Sequence, residues 1–157
     1  MSRLLKGLLL TLVHVALVLS VVAKYYSDRV SLPRAWALAA PYDPNLPIRG
    51  RYVRLQLLVE PRGTLLSQQG RAALSTQDGK LVATFGADGL RITRLAGGRI
   101  ALSEPVAFFI PEHVSDPSRR PPGEELWVEV SVPKEGPPRP VRLGVKKDGV
   151  ITPLPLR

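Results

Sequence analysis

From Gly7 to Ala23 the chain runs seventeen residues, GLLLTLVHVALVLSVVA, without one charged side chain. A core helix of a water-soluble domain keeps a polar face, and this segment has none. Counted from Leu4, twenty residues make about 30 Å of helix, enough to cross a bilayer if Lys6 snorkels to the surface. Eight Leu and five Val lie in Leu4–Val22, and together they favour insertion by roughly 4 to 8 kcal/mol before polar costs. Residues 1–24 therefore read as a transmembrane signal-anchor helix in contact with the lipid bilayer. Val21-Val22-Ala23 satisfies the small-residue rule for signal-peptide cleavage. Against cleavage, the apolar run is long, and Lys24-Tyr25-Tyr26 is the cationic and aromatic girdle that parks a spanning helix at an interface. Flanking charge does not decide the orientation, since Arg3 and Lys6 are matched by Lys24, Arg29 and Arg34. A short leading tail before a folded domain favours translocation of the domain. His14 falls mid-span and is a candidate proton relay or contact to a partner helix, against the plainer reading of a tolerated polar residue or a helix–helix hydrogen bond.

The rest of the chain has a different grammar. Residues 25–34 read as a juxtamembrane linker ended by Pro33, and residues 35–157 as one β-rich domain. Sixteen prolines and 13 glycines in the chain argue against long helices there. AWALAA (35–40) reads as a first strand, and PYDPNLPIRG (41–50) as a stiff loop. In RYVRLQLLVE (51–60) the odd set Val53, Leu55, Leu57 and Val59 alternates with Tyr52, Arg54, Gln56 and Leu58, the pattern of a half-buried strand. Asp78-Gly79, Asp88-Gly89, Gly97-Gly98 and Asp148-Gly149 each sit beside β-rich runs and supply the positive φ that tight hairpin turns need. VAFFI (106–110) and ELWVEVSV (125–132) complete eight to ten short strands. The expected fold is all-β, a small antiparallel β-sandwich or a partly open barrel or meander behind one transmembrane helix. The proline-rich stretch 113–123 reads as an exposed loop.

Composition removes several kinds of chemistry. Net charge is +9, yet the arginines are scattered singly and few aromatics are present for base stacking, so nucleic acid is not an expected partner. An anionic envelope ligand, such as a lipid headgroup or wall polymer, suits scattered arginines better. Cysteine is absent, which removes disulfides and thiolate chemistry. His113 is the one histidine outside the membrane segment, no G-x-S-x-G elbow occurs, and no cofactor, metal site or catalytic residue is expected. Asp43 and Glu112 are the carboxylates a hydrolase reading would need.

The segment from Asp43-Pro44 through Arg49-Gly50-Arg51-Tyr52-Val53-Arg54-Leu55 resembles the signature of the GDYXXLXY family of small membrane-anchored bacterial proteins. Asp43, Pro44, Arg49, Gly50, Tyr52 and Leu55 match it, while Arg51 stands where the family has Asp and Leu57 where it has the final Tyr. Phe109-Ile110-Pro111-Glu112 resembles a second family segment, and Glu125–Val132 with the following 146–149 turn its C-terminal strands. The resemblance implies an N-terminal helix, an external β-rich domain in the bacterial periplasm anchored to the inner membrane, and a role beside a multi-spanning membrane protein. It carries no established activity.

The expected function is thus a non-enzymatic accessory module for an integral-membrane partner. His14 is its candidate contact within the bilayer, and Asp43, Arg49, Gly50, Arg51, Tyr52, Arg54 and Glu112 its candidate contacts outside. The alternatives are an envelope domain for an anionic ligand and, last, a carboxylate hydrolase.

Overall fold

The computed structural model describes residues 3–42, 52–64, 67–111, 114 and 116–155. The chain divides into two compact units, Met1–Leu32 and Pro33–Arg157.

The first unit is one helix, α1 (Arg3–Ser31). Its stretch Leu4–Asp28 contains an 18-residue window with a mean hydropathy of 2.2 and no buried residue, which fits a single-pass anchor or a signal sequence. Two of its hydroxyl side chains bond back to the helix itself. Thr11 Oγ1 donates to the Gly7 carbonyl at 3.0 Å and Ser20 Oγ to Leu17 at 2.7 Å, which lowers the cost of carrying them into lipid. The helix runs seven residues further than the predicted 1–24 span, so most of the expected linker 25–34 is helical. Lys24–Val30 contains neither Gly nor Pro, and the i→i−4 ladder continues until Leu32 N–H donates to the Asp28 carbonyl at 3.2 Å. Pro33 then stops it, because the residue before a proline is pushed out of the α region.

The second unit is all-β, as the alternation predicts. Ten strands are described: β1 (Arg34–Pro41), β2 (Tyr52–Arg62), β3 (Gln69–Gln77), β4 (Lys80–Gly86), β5 (Leu90–Arg94), β6 (Ile100–Leu102), β7 (Val106–Phe109), β8 (Glu125–Ser131), β9 (Arg139–Lys147) and β10 (Val150–Pro153). Five of them close into a small barrel through the pairings β2–β4, β4–β3, β3–β5, β5–β6 and β6–β2. The closing pair, β2 with β4, is parallel, a contact that hairpin signals do not foresee. From β2 an antiparallel arm β1–β8–β9–β10 leads away on one side, and β7 pairs with the start of β2 on the other. β2 can serve both because it has eleven residues, more than any one neighbour uses.

The predicted inward set of β2 is buried throughout, with Leu55 and Leu57 fully excluded from solvent. They join Leu81, Ile92, Val128, Val130 and Leu143 in one core that spans barrel and arm. Burying side chains of this size contributes about 1.5–3 kcal/mol each, so the two parts are held together by shared apolar contact.

Three of the four turn signals are hairpins. Asp78-Gly79 (φ 49° and 72°) and Asp148-Gly149 (φ 50° and 83°) are two-residue turns with both residues left-handed, which matches strand twist. Gly97 and Gly98 lie in a longer loop closed by Leu95 N–H on the Arg99 carbonyl at 2.8 Å. Asp88-Gly89 departs from the hairpin reading. β4 and β5 do not pair; both flank β3, with Phe85 on one side of Ala72 and Leu90 on the other. Residues 87–89 therefore carry the chain across β3, and at Gly89 a Cβ would stand 2.2 Å from the Ala72 carbonyl oxygen. Pro117, expected in an exposed loop, is fully buried, which pins that loop to the domain.

Candidate functional site

Asp43, Arg49, Gly50, Arg51 and Glu112, named from the sequence, lie outside the described residues. Tyr52 and Arg54 are described, at the start of β2. Tyr52 pairs directly with Phe109 of β7, and Arg54 with Ala107. The Tyr52 and Phe109 rings meet edge to face, 5.6 Å between centroids at 74°, a favoured aromatic geometry. Both rings stay open to solvent, Tyr52 at 49% and Phe109 at 63%. Tyr42, at 40% exposure, follows β1 and donates its backbone N–H to the Arg54 carbonyl at 3.1 Å. Directly opposed residues of a sheet share a face, so Tyr52, Arg54, Ala107 and Phe109 form one exposed aromatic surface with a guanidinium in it. The start of β2, Tyr52–Leu55, and the strand β7, Val106–Phe109, are thus neighbours.

His14 lies in the other unit. Its Nδ1–H donates to the Leu10 carbonyl at 2.8 Å. That bond occupies one ring nitrogen within the helix.

A second constellation was not picked out in the sequence. On β8 the residues Glu125, Trp127 and Glu129 share a face, and they oppose Lys146, Gly144 and Arg142 of β9. Trp36 of β1 lies opposite Glu129. The Trp36 ring rests over Gly144, where any Cβ would come within 2.8 Å of it, and the Arg142 guanidinium sits 5.6 Å from the ring centroid. Glu129 is only 6% exposed. Its Oε2 lies 2.6 Å from Arg142 Nε and 4.0 Å from Arg34 Nη1. No N–H is aimed at Oε2 with hydrogen-bond geometry, so the 2.6 Å approach is an ion contact; the aligned donor is Arg142 Nη2, 3.4 Å from Oε1. Arg142 and Arg34 keep half and two-fifths of their side chains in water, which softens the cost of the buried charge.

Trp127 is nearly buried, and its indole N–H donates to Glu125 Oε2 at 3.1 Å. The Lys146 ammonium stands 4.9 Å from its ring centroid. This face has a sequence signal that went unused: Glu, Trp, Glu at alternate positions of ELWVEV can oppose Arg, Gly, Lys at alternate positions of RLGVK with charges matched.

Among the described residues no group of three or more His, Asp or Glu side chains is placed to hold a metal ion. No family model, no curated protein and no solved structure matches this chain.

Proposed function

We propose that this chain is a membrane-anchored, non-catalytic accessory module that docks on a multi-spanning membrane protein through the Tyr52–Phe109 face. The observation that carries the reading is that face: two aromatic rings packed on each other, half or more exposed, with Arg54 beside them. Tyr, Trp and Arg dominate the energetics of protein interfaces: the aromatic rings bury much area at little entropic cost, and the guanidinium offers a rigid fork of donors. An exposed pair of this kind has no role in the core of its own domain. The apolar, unburied helix supports a partner embedded in the same bilayer, and the resemblance to the GDYXXLXY family points the same way. In this reading the helix is retained, the β domain is periplasmic, and the membrane is the bacterial inner membrane.

The face is tested by placing a photo-crosslinking p-benzoylphenylalanine at position 54 or 107 and irradiating intact cells. An adduct with one multi-spanning protein, absent when the probe is moved to exposed Arg71 on β3, is the expected result. Adducts of equal yield from all three positions, or none, would overturn the docking face.

A further inference from the structure

β1 and β2 are paired from Ala39↔Leu57 to Pro41↔Leu55, and there they part. β2 turns to pair with β4 from Glu60↔Val82. β1 instead reaches β4 through Trp36, whose N–H donates to the Gly79 carbonyl at 2.7 Å. The fork leaves a cleft of roughly 350 Å³, at the lower end of the range of about 300–1,000 Å³ that small-molecule sites occupy. Leu38, Leu58, Trp36 and Trp127 give it an apolar lining.

The charges at its rim are unequal. Glu60 and Lys80 neutralise each other at 2.6 Å. Glu125 is engaged by the Trp127 indole N–H, and Lys146 is turned onto the Trp127 ring. Arg99 lines the same cleft, and its guanidinium has no ion pair among the described residues. Lys80, Arg99 and Lys146 therefore face two carboxylates, leaving one positive charge without a partner. A ligand cation would meet a rim with a net positive charge, whereas an anion meets a guanidinium without an ion pair, whose fork matches a carboxylate in two parallel hydrogen bonds.

We propose that this cleft binds a small organic carboxylate, with its apolar body between Leu38, Leu58 and Trp127 and its carboxylate on Arg99. The site lies apart from Tyr52 and Phe109, and it does not depend on the docking face.

The chain has two tryptophans, and both line the cleft, so their fluorescence reports on its occupancy. The full-length chain in phosphatidylcholine nanodiscs is titrated with 4-bromobenzoate, with 8-bromooctanoate, and with neutral 4-bromobenzamide, each a heavy-atom quencher. Saturable quenching by at least one of the two carboxylates is expected. Arg99→Ala should weaken that binding about tenfold, since it removes a charge-assisted pair. The amide should bind weaker by a similar factor. Arg99 is exposed in a loop, and an unchanged melting temperature confirms that the variant is folded. The proposal is overturned if neither carboxylate quenches saturably, or if saturable quenching is the same with the amide or in Arg99→Ala.

Discussion

Gly89→Ala is the substitution that most sharply separates a turn from a strand crossing. If Asp88-Gly89 were an ordinary hairpin turn, Ala there would cost what it costs at Gly79. Gly79 has φ 72° and open space around it, so Gly79→Ala suffers only the left-handed backbone penalty of about 1–2 kcal/mol. Gly89 has φ 107° and, in addition, the Ala72 carbonyl oxygen 2.2 Å and the Ala73 nitrogen 2.8 Å from the new Cβ. Normal contact requires about 1 Å of separation more, and the obstructing atoms are backbone of β3, which is paired on both sides and cannot rotate away. Overpacking of this kind adds about 1–3 kcal/mol, for a total of about 2–5 kcal/mol. In a domain of this size each kcal/mol moves the melting temperature by about 3–6 °C. Thermal unfolding of the full-length protein in detergent, followed by tryptophan fluorescence, should show Gly79→Ala lowered by about 3–12 °C and Gly89→Ala by about twice as much. Equal shifts would mean that residues 87–89 do not cross β3, and that the barrel closure drawn from it is wrong.

Leu57→Ala, at a fully buried position, should cost about 2–5 kcal/mol in urea unfolding. A loss under 1 kcal/mol would mean that β2 does not face the shared core. Glu129→Gln should cost about 1–3 kcal/mol, nearer the lower figure because the two arginines it leaves behind already reach water; a gain in stability would show that the buried carboxylate carries a net penalty. The hydrogen bond and charge of Glu60 raise the Lys80 amine above its usual 10.5. The pair's contribution is therefore fully present below that pH and fades as pH rises through the raised value. NMR titration of the Lys80 amine should find it above 10.5 in the native chain and lower in Glu60→Gln, whereas an unmoved value would refute the pairing.

Much of the fold is written in local pattern. The uncharged run read as a membrane helix is a helix long and apolar enough to cross a bilayer, and the alternation of 51–60 marks a strand whose inward set is buried. Asp78-Gly79 and Asp148-Gly149 read correctly because a two-residue turn is decided by its own φ angles. What local pattern cannot reach is partnership between distant strands. Nothing near Gly89 says that β3 lies beneath it, and nothing in 51–62 says that one strand pairs with β1 and β7 at its start and with β4 and β6 at its end. The helix overran its predicted end because Lys24–Val30 holds neither Gly nor Pro to stop it; Pro33 does.

The site was legible to the same degree. Tyr52 and Arg54 were named from the sequence, but their neighbour Phe109 comes from a strand more than fifty residues away. The Trp36, Glu129 and Arg142 cluster was missed for a related reason. Each residue is unremarked in its own strand, and only the β1–β8–β9 register stacks them, with Gly144 leaving the gap that Trp36 fills.

The central claim, a membrane-held module with a membrane-embedded partner, is tested most directly by tagging the full-length chain and solubilising native membranes under mild conditions. The captured species are then identified by mass spectrometry, for the native chain and for a Tyr52→Ser, Phe109→Ser variant. The account expects one multi-spanning protein at near-equal stoichiometry, lost or sharply reduced in the variant while the module itself stays in the membrane. Recovery of the native chain alone, or release of a shortened soluble form from the membrane, would contradict it.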